Sequence, residues 1–180
     1  MVKEKNLKSL WAWIWALVVA IILALIIRFY LFIPIVVDGV SMMPTLTDGN
    51  RVIINRFEKI DRFDVVVFRE GKNDYIKRVI GLPGDEIEYK ADVLYVNGKK
   101  FEEPYLDTYR TQMKEGFLTE NYSTKEMLRG GKVPKDTYFV LGDNRRASRD
   151  SRIIGPIPKS KVLGTTPLCY WPIKDAKFIK

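Results

Sequence analysis

Tyr75-Ile76-Lys77-Arg78-Val79-Ile80, running into Gly81-Leu82-Pro83-Gly84-Asp85, sets the fold class of this chain. The first six residues read as a β-strand. The next five read as a turn, with glycine supplying positive φ and proline presetting its own φ. Alternate residues of a strand share a face. Lys77 therefore lies with Tyr75 and Val79, and Ile76, Arg78 and Ile80 lie opposite. That pattern allows an apolar shell around Lys77. The plain alternative is a solvated lysine on an edge strand.

Working outward, the same strand-and-turn rhythm continues. Arg51 to Asn55 and Asp64 to Phe68 read as strands before it, and Glu86 to Tyr89 and Val93 to Val96 after it. Asn97-Gly98 is a type I′ hairpin signal leading into Lys99–Phe101. Thr137 to Leu141 is a strand that delivers Gly142-Asp143-Asn144-Arg145. Lys161 to Thr165 and Leu168 to Trp171 close the sheet. Residues 102–131 are polar and irregular and read as an excursion on the domain. Many short strands with Gly/Pro turns predict a mainly β domain, a coiled or closed antiparallel sheet.

The N-terminus differs. Lys3, Lys5 and Lys8 stand against Glu4, and Leu10 to Ile27 then carries no charge. That is about 18 residues, enough at ~1.5 Å per residue to cross most of a ~30 Å hydrocarbon layer. Trp11, Trp13 and Trp15 mark one end, and Arg28, Phe29 and Tyr30 the other, as interfacial belts do. A cleavage site needs small residues, whereas Leu25, Ile26, Ile27 and Arg28 are bulky, so the segment reads as a retained anchor. The expectation is a cytoplasmic tail at 1–9, one transmembrane helix at 10–28 and an extracytoplasmic domain at 29–180. Localisation follows: the plasma membrane, crossed once. Residues 29–37, apolar and broken by Pro34, read as a strand leaving the membrane surface. Such a strand suits core, substrate groove or lipid contact.

Composition narrows the chemistry. The 180 residues carry a net charge of +8, no histidine and one cysteine, Cys169. A lone cysteine forms no intramolecular disulfide. Without histidine, Ser-His-Asp triads, Cys-His dyads and most zinc sites are excluded. Any nucleophilic chemistry needs another base, and burial can lower a lysine far enough to make it one. No dense Lys/Arg run is interleaved with aromatics, so nucleic acid is not expected as a partner. No metal or organic cofactor is implied.

Ser41, in Asp38-Gly39-Val40-Ser41-Met42-Met43-Pro44-Thr45-Leu46, is a candidate nucleophile. Read by itself it is a turn serine, and Lys77 a surface lysine. Three blocks change that reading. Ser41-Met42-Met43-Pro44-Thr45-Leu46, Lys77 to Asp85, and Gly142-Asp143-Asn144-Arg145 continuing to Ser148, Asp150, Ser151 and Arg152 resemble the boxes of bacterial type I signal peptidases. Asp48-Gly49-Asn50-Arg51-Val52 is a weaker fourth. These enzymes are membrane-bound serine proteases that use a Ser/Lys dyad. The resemblance covers about residues 10–165.

It implies Ser41 as nucleophile and Lys77 as general base. Ser148 is similar to the serine that orients the lysine amine. Asp143 resembles the residue that pairs with the arginine after the base, here Arg78. Asp150 and Arg152 resemble a second supporting ion pair. An oxyanion hole is expected from the Ser41 N–H, with the Gly39 amide as second donor. Ile35, Val37, Met42, Leu46 and Ile76 are the expected apolar walls of pockets for small residues. The implied activity is removal of signal peptides from secretory preproteins, by a monomer that also touches membrane lipid. Two alternatives compete. A self-cleaving repressor-type Ser/Lys protease needs a DNA-binding domain where this chain has an apolar span. A membrane-anchored β-domain that binds partners without catalysis has no reason to keep both Ser41 and Lys77.

Overall fold

The computed structural model describes residues 10–23, 32–113 and 115–179. In chain order the strands are β1 (Phe32–Val36), β2 (Arg51–Asn55), β3 (Val65–Glu70), β4 (Asn73–Gly81), β5 (Ile87–Lys90) and β6 (Val93–Val96). There follow β7 (Lys99–Phe101), β8 (Tyr122–Ser123), β9 (Thr137–Leu141), β10 (Ile157–Pro158), β11 (Val162–Trp171) and β12 (Lys177–Phe178). Residues 10–23 are helical (α1), and three short helices follow: α2 (Asp107–Gln112), α3 (Thr124–Met127) and α4 (Ser151–Ile154).

Two sheets result. The larger runs β1-β2-β11-β3-β4-β9-β10, with β12 on β11; the smaller runs β7-β6-β5-β8. The expectation of a mainly β, antiparallel domain holds. Closure does not: β1 and β10 end the larger path without pairing to each other. Short strands with tight turns look the same whether the last strand meets the first or stops, so local pattern does not encode closure.

Both faces of the middle strands are covered, which explains their unbroken apolar runs. On one face Ile80, Phe139 and Leu141 pack with Ile87, Tyr89 and Leu94 of the smaller sheet. On the other, Val66, Phe68, Val79, Tyr138 and Val140 pack with Ile157. Alternation decides which face each residue takes. The hairpin forms as its sequence predicts, with Asn97 at φ 52 and Gly98 at φ 77.

Two local readings are corrected. Thr165 and Leu168 do not belong to separate strands, because β11 is continuous with a register shift between them. Pro167 lies in that irregularity, where a missing N–H breaks no regular ladder. Nor is 102–131 a loose excursion. Glu103, Leu106, Leu118 and Thr124 are buried, and β8 pairs with β5. Its apolar residues are too few and too scattered to show a period; Leu106 and Leu118 are inside, while Phe117 and Met127 stay exposed.

The chain divides into two units, Met1–Ile33 and Pro34–Lys180. In the first, the described helix exposes most of its apolar side chains, Trp13 at 75% among them. No described helix is long and apolar enough to cross a membrane. The expected span at 10–28 lies partly outside the described residues and the tail at 1–9 wholly outside them.

Candidate active site

Strand β4 carries two cations side by side and sends them to opposite faces. Lys77 is 3% exposed and Arg78 0%. The Lys77 Nζ donates to Ser41 Oγ at 2.7 Å and to the Ile76 carbonyl at 2.9 Å. Burial of the ammonium lowers Lys77 from its ordinary value to about 8, while the carboxylates of Asp150 and Asp143 pull weakly the other way. An amine at that value is partly neutral near pH 7 and can accept a proton.

Arg78 is treated differently. Its guanidinium grips Asp143 with two bonds, Nε to Oδ1 at 2.8 Å and Nη2 to Oδ2 at 2.6 Å. It also donates to the Phe63 carbonyl at 2.8 Å, and Tyr105 covers it with its ring 3.9 Å away. Burial alone would lower Arg78; the hydrogen bonds and charge of Asp143 outweigh it. The Thr45 hydroxyl donates to Asp143 at 2.5 Å.

Ser41 sits in a turn just after β1, closed by Met43 N–H on the Val40 carbonyl at 3.1 Å and Leu46 N–H on Met42 at 2.9 Å. The loop after β9 clamps this turn. Asn144 N–H donates to the Ser41 carbonyl at 3.0 Å, and its side-chain amide to Val40 at 3.2 Å. Gly142 makes the clamp fit: a Cβ there would collide with Ser148 and with the Ser41 carbonyl. Asp150 holds the same loop, accepting the Gly142 N–H at 3.0 Å and pairing with Arg152 at 2.7 Å. Burial raises the Asp150 carboxyl, but Arg152, the Gly142 N–H and the Ser148 hydroxyl together bring it below its ordinary value. The buried Ser148 Oγ has no partner at strict hydrogen-bond geometry, although it lies close enough to Asp150 to add to that shift. A small rotation of the hydroxyl lets it donate to that carboxylate.

A cleft of about 810 Å³ opens over Ser41 and Lys77. Ile35, Val37, Met42 and Ile76 line it beside Ser41 and Lys77. Leu46 does not; it is fully buried under the turn. The Gly39 N–H donates to Asp48 at 2.8 Å and is engaged there, not held open as an oxyanion donor. The Ser41 N–H has no acceptor among the described residues.

A family model described as signal peptidase, peptidase S26, matches residues 10–171. The chain belongs to the signal peptidase family. It is similar to signal peptidase I of Bacillus caldolyticus, 44% identical over 99% of both chains. Signal peptidase IB of Staphylococcus aureus strain MRSA252 is 41% identical over 95% of this chain and 94% of that protein. The crystal structure of a signal peptidase I from Enterococcus faecalis V583 superposes with a TM-score of 0.55 at 38% identity, covering 60% of this chain and 97% of that one.

This member of the signal peptidase family also has a buried network that the sequence did not reveal. Arg145 donates to Glu103 at 2.6 Å, to the Tyr89 hydroxyl at 2.8 Å and to Thr119 at 3.0 Å. Its Nε reaches the Gly142 carbonyl at 3.1 Å, tying the smaller sheet to the loop after β9. The Glu-Glu-Pro run at 102–104 was the one available signal, and it reads equally well as a solvated turn.

Proposed function

We infer that this protein is a serine endopeptidase that removes N-terminal signal peptides from secreted preproteins. Family membership supports the reaction. The observation that carries the mechanism is the 2.7 Å contact between a buried Lys77 amine and Ser41 Oγ. Neutral Lys77 takes the Ser41 proton as Oγ attacks the carbonyl after a small residue. The oxyanion forms against the Ser41 N–H. The Lys77 ammonium then returns the proton to the leaving amine, leaving Ser41 acylated. Water, deprotonated by Lys77, releases the signal peptide.

Ser148, expected to orient the amine, has no hydrogen bond to Lys77; it acts on Asp150, and the pairs Arg78–Asp143 and Asp150–Arg152 hold the loop that carries it. An extended peptide lies along β1 and puts alternate side chains into pockets walled by Ile35, Val37, Met42 and Ile76. Those walls favour alanine at −1 and a small or aliphatic residue at −3. The enzyme acts as a monomer at the plasma membrane, its N-terminal segment crossing once and its catalytic domain outside, against lipid. That placement raises the local concentration of membrane-bound preprotein.

The test is cleavage of a preprotein with Ala at −1 and −3 by the detergent-solubilised chain, read by mass spectrometry. Cleavage after that alanine, abolished in Ser41→Ala, is expected. Cleavage that persists in the folded variant would exclude Ser41 as the nucleophile.

A further inference from the structure

A second cavity lies away from the dyad, about 660 Å³ in volume. None of its lining residues is shared with the catalytic cleft. That size holds a small organic molecule. Its apolar walls come from Phe63, Val65, Tyr105, Pro167 and Ile179. The register shift in β11 beside Pro167 helps to shape one side.

Its charge is opposite to that of the chain. Overall the protein carries +8, yet Glu58, Asp64 and Glu102 face this cavity with only Arg62 against them. Arg62 is already committed, to Asp85 at 2.9 Å and to the Ile80 carbonyl at 2.5 Å. Glu102 is paired with Lys100 at 2.8 Å on the surface. Glu58 and Asp64 have no ion-pair partner among the described residues. Glu58 accepts from the Thr165 hydroxyl at 3.1 Å, and Asp64 from the Asp61 N–H at 2.7 Å. Burial, then the nearby carboxylates Glu58 and Asp61, raise the Asp64 carboxyl against the opposing pull of the Asp61 N–H and of Arg78. The Phe63 ring adds to the preference, because a ring attracts a cation brought over it; one face of Tyr105 is already taken by Arg78.

We propose that this cavity is a second ligand site, selective for a small organic cation: an aromatic or branched apolar body carrying one protonated amine or amidine. The body fills the Phe63–Tyr105–Pro167 wall, and the charge meets Glu58 and Asp64.

The full chain in detergent, labelled at its tyrosine and phenylalanine rings, is titrated with phenethylammonium and benzamidinium. The probes 2-phenylethanol and 3-phenylpropionate are the uncharged and anionic counterparts. A Tyr105→Phe variant assigns the key signal. The cations should shift Tyr105 and Phe63 saturably and bind about fivefold or more tightly than the alcohol, with the anion weakest. Glu58→Gln keeps an acceptor for Thr165 and should weaken the cations about threefold while leaving the alcohol unchanged. Equal affinity for cation and alcohol overturns the proposal. So does a saturable shift confined to Tyr75, which would place the amine in the catalytic cleft, or no saturable shift at Tyr105. Because the readout is binding, the outcome is independent of whether Ser41 and Lys77 cleave preproteins.

Discussion

The two faces of β4 hold the same charge type in opposite ways. Arg78 is enclosed with a carboxylate gripping it at two points, so its charge is fixed. Lys77, one residue earlier, is enclosed with a hydroxyl and a carbonyl for partners and no carboxylate in contact. Desolvation acts on both. What differs is whether an anion is placed to oppose it. The strand thus sets a permanent cation beside one poised to lose its proton, using nothing but alternation.

Lys77→Met breaks the first half of that contrast. Cleavage should fall by at least about a thousandfold, since the proposed base is gone. The same variant should be more stable at pH 7, by roughly 2–3 kcal/mol, because a desolvated ammonium has been removed. Cleavage kinetics and a thermal melt check both halves, and a Lys77→Met protein that melts earlier would refute the desolvation account.

Arg78→Met should do the reverse. It strands the Asp143 carboxylate inside the protein, and loss of about 3–5 kcal/mol is expected in denaturant unfolding. If both methionine variants moved stability the same way, the contrast between the two faces would be wrong.

The pH dependence sharpens the contrast further. With Lys77 at about 8, kcat/KM should rise about tenfold from pH 7 to pH 9 and then level off, with no contribution from Arg78. Stability has its own sign. The folded amine titrates near 8 and the unfolded one near 10.5, so between them the unfolded chain binds more protons. Stability from this group therefore increases with pH across that window, and its penalty is complete below it. Lys77→Met should remove that slope, as urea titrations at several pH values would reveal. The smallest effect is expected of Thr45→Val, which removes one hydrogen bond to Asp143: about 1 kcal/mol, with the pH profile unmoved.

Much of this was legible in the sequence because it is local. Alternation along 75–80 put Lys77 and Arg78 on opposite faces, and Asn97-Gly98 announced its turn. Phe139 and Val140 also read correctly as strand, although nothing local says that both faces of β9 would be covered. The Arg145–Glu103 pair was illegible because its partners are 42 residues apart and join different sheets. The strand read as two pieces is one because the register shift in β11 accommodates Pro167, whose missing N–H would otherwise break the ladder. Leu46 is apolar and close to Ser41 in sequence, as a wall residue would be, but the turn buries it in the core. The N-terminal anchor remains an expectation that rests on hydropathy.

The placement of the smaller sheet bears on shortening the protein. Topologically it is a detachable segment, since Gly81 at the end of β4 is already a register partner of Phe139 in β9. A designer joining those strands with a short turn would keep Ser41, Lys77 and Asp143. The guanidinium of Arg145 forbids so simple an excision, because Glu103, Tyr89 and Thr119 would all leave with the deleted segment. A minimal version must therefore replace Arg145 in the same step and find another support for the Gly142 carbonyl.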